Sequence, residues 1–152
     1  MVVPRLKKKA KVLDIGCGVG TLCFYLQSKG LVCEGIDVSE RAINIANSFK
    51  IYSKAKGVKF MQGEVSKIKK NAQSYELIVC TEVIEHVERD EELLLTIGKL
   101  LKPGGYLLLT TPSSNSLLFK MGALKSFDKE VGHLRRYTKN SLQQKIESAG
   151  LS

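Results

Sequence analysis

His86 and His133 are the only imidazoles in the chain, and His86 closes the run Thr81-Glu82-Val83-Ile84-Glu85-His86. An imidazole changes charge near neutral pH, so either ring can take a proton from a reacting hydroxyl. Two carboxylates with two imidazoles also form a donor set that suits manganese or iron. If a helical turn starts after Cys80, then Glu82, Glu85 and His86 share one face at i, i+3 and i+4, and a later loop can bring His133 over them. The alternative is structural. Glu85-His86 then caps a turn, Glu88 and Asp90 to Glu92 charge the first turn of a helix Glu91–Leu101, and His133 orients a substrate. The spacing alone is permissive, so the base role goes to His86 and His133 and no residue is assigned to a metal.

A second pattern with chemical content is Val12-Leu13-Asp14-Ile15-Gly16-Cys17-Gly18-Val19-Gly20, an apolar run that ends in an acid and a glycine turn. The run suits a buried parallel strand. Thr21 to Lys29 then has helical spacing, with Leu22, Tyr25 and Leu26 as its apolar face and Gly30 as its stop. Glycine admits φ > 0 and lets a ligand lie against the backbone at the helix N-terminus. Val32 to Asp37 reads as a second strand, ending in an acid about twenty residues after the first glycine, where a carboxylate can accept hydrogen bonds from a ribose diol. Asp37 also suits the charge at the start of a helix Glu40–Lys50 whose N-cap is Ser39. Further strands are predicted at Val58–Gly63 and Tyr75–Cys80, with a fifth between a Pro103-Gly104-Gly105 turn and Pro112.

The glycines fall at positions 16, 18 and 20, with Asp14 before them, whereas G-x-G-x-x-G would need glycine where Thr21 stands. A nicotinamide dehydrogenase is disfavoured on that ground. The pattern D-x-G-x-G-x-G, followed in order by Val32–Asp37, Thr81–Glu88 and Leu100–Pro112, resembles the class I S-adenosylmethionine-dependent methyltransferases over residues 11 to 112. The resemblance implies a Rossmann-like α/β fold, a doubly wound, mostly parallel sheet with helices on both faces. It implies S-adenosylmethionine as cofactor and Asp14, Gly16, Cys17, Gly18, Gly20, Asp37, Val38, Glu64, Val65 and Thr81 as cofactor-binding residues. In that assignment Gly16 and Gly18 hold the methionine end through their backbone, Asp37 the ribose, and Val38 and Val65 the adenine faces. Glu64 stands where the family more often has Asp opposite the adenine amino group. The implied activity is in-line transfer of an activated methyl group, with His86 and His133 as candidate bases.

Acceptor and assembly are less defined by the residues. Gly132-His-Leu-Arg-Arg-Tyr-Thr138 resembles a stretch found before the last helix in bacterial methyltransferases of small molecules, lipids and saccharides, which are the expected acceptor classes. Glu-x-x-Glu-His stretches with a later His also occur in methyltransferases that modify the terminal ribose of small RNAs through a bound metal, and in ubiquinone-pathway O-methyltransferases. The alternatives are thus a metal-dependent RNA ribose methyltransferase and a non-catalytic cofactor-binding module. The family usually adds two strands after the fifth. The single domain 1–152 is therefore expected to lack them, as a truncated chain or as an oligomer that covers an open sheet edge.

Composition bounds the rest. With 24 Lys and Arg against 15 Asp and Glu, the net charge is +9, concentrated at Arg5, Lys7, Lys8, Lys9 and Lys11 and again at Lys120, Lys125, Lys129, Arg135, Arg136 and Lys139. Such a field attracts phosphates, yet no aromatic-interleaved basic stripe accompanies it, so nucleic acid is not the favoured partner while contact with a membrane surface stays open. No run is long enough to span a membrane, and no signal peptide is apparent. Cys17, Cys23, Cys33 and Cys80 contain no C-x-x-C pair and suit a reducing cytoplasm. Ser113 to Tyr137 lacks a strong period and reads as a substrate lid, whose basic residues would meet an acidic acceptor. A last helix is expected at Thr138–Ala149.

Overall fold

A computed structural model describes residues 6–67, 71–116, 119, 121–122 and 124–151. Its strands are β1 (Lys11–Ile15), β2 (Val32–Asp37), β3 (Val58–Gln62), β4 (Tyr75–Thr81) and β5 (Leu101–Thr110), and every pairing is parallel in the order β3-β2-β1-β4-β5. The helices are α1 (Thr21–Ser28), α2 (Glu40–Tyr52), α3 (Asp90–Leu100), α4 (Lys125–Val131) and α5 (Lys139–Ser148). The doubly wound reading holds, and its reason lies in residue parity. Alternate side chains of a strand leave opposite faces, so continuous apolar runs feed two cores. Val12, Leu77 and Val79 join Cys23, Leu26, Ile43 and Ala46 of α1 and α2 on one face. Leu13, Ile15, Ile78 and Cys80 join Leu93, Leu94 and Ile97 of α3 on the other, with Leu142 and Ile146 of α5 packed against them.

Helix ends follow local chemistry. The Ser39 hydroxyl accepts the Ala42 N–H at 3.2 Å and caps α2 as expected, and Thr138 caps α5 in a reciprocal pair with Ser141. The buried face of α1 is Cys23 and Leu26, not Tyr25, which is half exposed beneath the Lys29 ammonium. Pro103-Gly104-Gly105 does not separate helix from strand. Leu101 is already extended and pairs with Tyr75, and the register then slips so that Leu77 pairs with Tyr106. The glycines thus form an irregularity within β5, where Gly104 takes φ 73° and Pro103 has no N–H to donate.

β4 and β5 carry the elements that build the site at the carboxyl ends of the strands. Among the described residues no strand covers the outer edge of β5, whose Leu107 and Leu109 pack on the core while Tyr106 and Leu108 face outward. No described helix is long and apolar enough to cross a membrane.

Candidate active site

The β1–α1 turn is shaped by backbone contacts. Gly16 and Cys17 both donate their N–H to the Ile36 carbonyl, at 2.8 and 3.1 Å, which ties the turn to the end of β2. Gly16 sits at φ 73°, and a Cβ there would run into Val83, so that position excludes any side chain. Gly20 begins α1 in the left-handed region with no side-chain cap and no acid in the first turn, which leaves the positive helix terminus open to an anion. Asp37 closes the rim: its Oδ2 accepts the Gly18 N–H and its Oδ1 the Ser39 N–H, both at 2.8 Å. A carboxylate has about four acceptor positions, so lone pairs on both oxygens remain for a diol.

Beneath this turn Asp14 is 2% exposed. Burial pushes its carboxyl up to about 6; the Cys23 thiol hydrogen bond opposes that rise and the Asp37 charge adds to it. Cys17 is buried beside it, and burial pushes its thiol up to about 12. A cavity of about 750 Å³ opens in front of the turn, a volume ordinary for a small-molecule site. Of the cofactor residues read from sequence, Gly16, Asp37, Val38, Glu64 and Val65 line it. Gly18 and Gly20 shape the turn, Asp14 and Cys17 support it from below, and Thr81 ends β4 outside the lining. Glu64 pairs with Lys67 at 2.7 Å. Val83, Arg89, Glu92 and Leu93 also line the cavity, and their spacing gave no sign of it.

His86 stands on the same cavity wall, at the end of a 3-10 turn Ile84–His86. Its ring centroid lies 4.9 Å from that of His133, and Glu85, His86 and His133 each bring a ligand atom within 4.8 Å of the others. Glu85 is fully buried; its Oε2 accepts the Thr111 hydroxyl at 3.0 Å, and its Oε1 has no partner among the described residues. Each imidazole is oriented through Nδ1. His86 Nδ1 lies 3.1 Å from the Gly132 carbonyl, which only accepts, so the proton is on Nδ1. His133 Nδ1 lies 2.8 Å from Asp128 Oδ1. Nε2 is the ring nitrogen left over on both.

Three expectations change. Glu82 does not share a helical face with Glu85 and His86: it ends the strand in the left-handed region at φ 54°, its N–H donates to the Thr110 carbonyl, and its carboxylate accepts the Thr110 hydroxyl. The four-residue donor set therefore becomes three. Arg135 and Arg136 do not wait for an acidic acceptor. Arg135 pairs with Asp90 at 3.0 Å and donates to the Glu88 carbonyl, while Arg136, its side chain 7% exposed, grips both oxygens of Asp128. The stretch Ser113–Tyr137 contains α4, and its ends are joined by a Ser113–Tyr137 bridge and by the Ser114 N–H on the Tyr137 carbonyl. Its residues 117–118, 120 and 123 lie outside the described residues, as does Arg5. Asp128, Gly132 and Thr111 are the neighbours of His133, His86 and Glu85 that sequence reasoning missed.

A methyltransferase-domain family model matches residues 2–152. The ubiquinone biosynthesis O-methyltransferase of Coxiella burnetii is 32% identical over 108 residues, covering 71% of this chain and 46% of that protein. The protein of the same name from Saccharophagus degradans is 30% identical over 151 residues, covering 93% and 63%. The chain thus spans about half the length of the first of these relatives. Among solved structures, the YcgJ protein of Bacillus subtilis superimposes with a TM-score of 0.85 at 20% identity, over 99% of this chain and 66% of that one. Phosphoethanolamine N-methyltransferase 2 of Haemonchus contortus, solved with S-adenosyl-L-methionine, gives 0.83 at 21%, over 95% and 34%. At such identities these structures show the shared fold. With the glycine turn, the sheet order and the family match together, the chain belongs to the class I S-adenosylmethionine-dependent methyltransferases.

Proposed function

We propose that the chain binds S-adenosylmethionine in the cavity behind Asp37 and moves its methyl group to a hydroxyl oxygen of a small-molecule acceptor. The observation that carries this reading is the placement of His86 on the wall of the cavity that Gly16, Asp37 and Val65 also line. The names of the O-methyltransferase relatives support an oxygen acceptor. The cofactor fits the groups present: lone pairs on Asp37 suit a ribose diol, the uncapped start of α1 suits a carboxylate, and no atom crowds Gly18 where a ligand would approach. When bound, it supplies a methyl group already activated by the positive sulfur, so the protein must mainly align the acceptor and receive a proton. Nε2 of His86 or His133 has the free lone pair for that proton.

The lining also bears on the acceptor. Asp37, Glu64, Glu82, Glu88 and Glu92 face Lys67 and Arg89, an acidic excess that disfavours a phosphate-rich acceptor despite the net charge of the chain. A second reading adds a divalent cation on Glu85, His86 and His133, and the unpartnered, buried Glu85 Oε1 favours it. A cation there would lower the pKa of an acceptor hydroxyl. Titration calorimetry with S-adenosylmethionine, then transfer of labelled methyl to a panel of small phenols, small amines and RNA with and without chelator, tests both readings. Cofactor binding with label in a methyl ether is expected; no cofactor binding, or label only on nitrogen or RNA, overturns the first. Full activity in excess chelator overturns the second.

A further inference from the structure

The C-terminal turn of α4 touches both imidazoles. Gly132, in the left-handed region at φ 78°, ends the helix and presents its carbonyl to His86 Nδ1. Five residues before His133, Asp128 holds that residue twice: its carbonyl accepts the His133 N–H at 2.8 Å and its Oδ1 faces His133 Nδ1 at 2.8 Å. Arg136 completes the clamp, with Nε on Oδ2 at 2.8 Å and Nη2 on Oδ1 at 2.6 Å. The side chains of Asp128, His133 and Arg136 are 14%, 9% and 7% exposed, so the three are packed together away from solvent.

We propose that Asp128 is a positioning residue for His133: its carboxylate keeps the proton on Nδ1 and so leaves the Nε2 lone pair free in the cluster with Glu85 and His86. An imidazole with one nitrogen engaged by a carboxylate has its tautomer and ring angle set by that partner, which is how ligating and proton-accepting histidines are commonly prepared. Arg136 fixes the Asp128 carboxylate from the other side, engaging both of its oxygens at 2.8 and 2.6 Å. A purely structural Asp128 would need Arg136 alone. The His133 contact is the part that reaches the reacting groups. The inference rests on the proposed role of His133, and its first readout is independent of that role.

The test uses the whole chain and its two histidines, which give two sets of imidazole nitrogen signals by NMR. In wild type both rings are expected in the Nδ1–H form. In Asp128→Asn the His133 ring should shift toward the Nε2–H form while His86, held by Gly132, does not, and Asp128→Glu should restore the wild-type pattern. Mn²⁺ titrated into the same proteins should bind about 10–100-fold more weakly to Asp128→Asn. A His133 ring that keeps its Nδ1–H form in a folded Asp128→Asn overturns the proposal; if that variant does not fold, Asp128→Ser is read in its place, and an unchanged His133 ring there overturns it. If wild type takes up no Mn²⁺, the cation reading falls, and the proton position on His133 decides for or against Asp128.

Discussion

The glycine turn and the histidine cluster reach one cavity, through Gly16 and His86, but are assembled by different means. The turn is one strand-turn-helix unit whose contacts are backbone N–H groups on carbonyls and on Asp37, within residues 14 to 39. The cluster joins residues 85 and 86 to residues 132 and 134 by the His86 imidazole on the Gly132 carbonyl and the Leu134 N–H on the Glu85 carbonyl, and side-chain pairs of Asp128 with His133 and Arg136 fix the later segment. In the proposed function, binding is thus assigned to a locally determined scaffold and the chemistry to a junction that only tertiary packing brings together. The two should respond to mutation separately.

The largest expected effect falls on the junction. His133→Ala or His86→Ala should lower methyl transfer about 100- to 10,000-fold, the usual worth of a positioned acid or base. Cofactor affinity should change by less than about twofold, as for a group that acts in the transition state. A parallel loss of cofactor affinity, read by calorimetry, would erase the distinction between the halves.

Next comes Asp14, which belongs to the turn. Its carboxyl stands at about 6 when folded against an ordinary 3.8, so the native state binds the proton more tightly than the unfolded chain. The associated stability is present below about pH 4 and is lost as pH rises through about 6, a change on the order of 3 kcal/mol. Asp14→Asn removes that dependence. Urea unfolding at several pH values should show the variant gaining on wild type between pH 4 and 6, and a constant gap would refute the assignment.

Asp37→Ala should weaken S-adenosylmethionine binding by about 1.5–3 kcal/mol, the range for charge-assisted hydrogen bonds, and leave Mn²⁺ uptake unaltered. Unchanged cofactor affinity would remove Asp37 from the site. The smallest effect belongs to Glu64, whose pair with Lys67 is largely exposed. Glu64→Ala should move stability by less than about 0.5 kcal/mol, with cofactor affinity following within about threefold. A tenfold loss of affinity would make Glu64 a principal adenine contact.

The same contrast explains what could be read from the residues. Strand runs, the glycine turn and the Ser39 cap are local signals, and each lies where its chemistry points. Pro103-Gly104-Gly105 misled because a turn signal also fits an irregular strand, and only the pairing of Leu101 with Tyr75 distinguishes them. Glu82 looked helical by spacing, but its left-handed backbone is set by β5 alongside it. α4 gave no period because its short sequence, Lys-Ser-Phe-Asp-Lys-Glu-Val, buries no apolar stripe. Asp128 carried no signal and Arg136 read as a contact for an acidic acceptor, since a side-chain clamp across an irregular loop has no spacing rule.

Strand order also imposes a timetable on synthesis. β1 meets β2 across 21 positions, Lys11 to Val32, and meets β4 across 65, Val12 to Leu77. The longer closure costs about 1 kcal/mol more in chain entropy, and its partner leaves the ribosome later. The emerging chain can thus pair β1, β2 and β3 under α1 and α2 while Leu13, Ile15 and Ile36 still wait for α3 on the opposite face. Until β4 arrives both faces stay incomplete, since Val12 also lacks Leu77 and Val79 beside it, so the oily half-made sheet closes only with the strand that leads into Glu85 and His86.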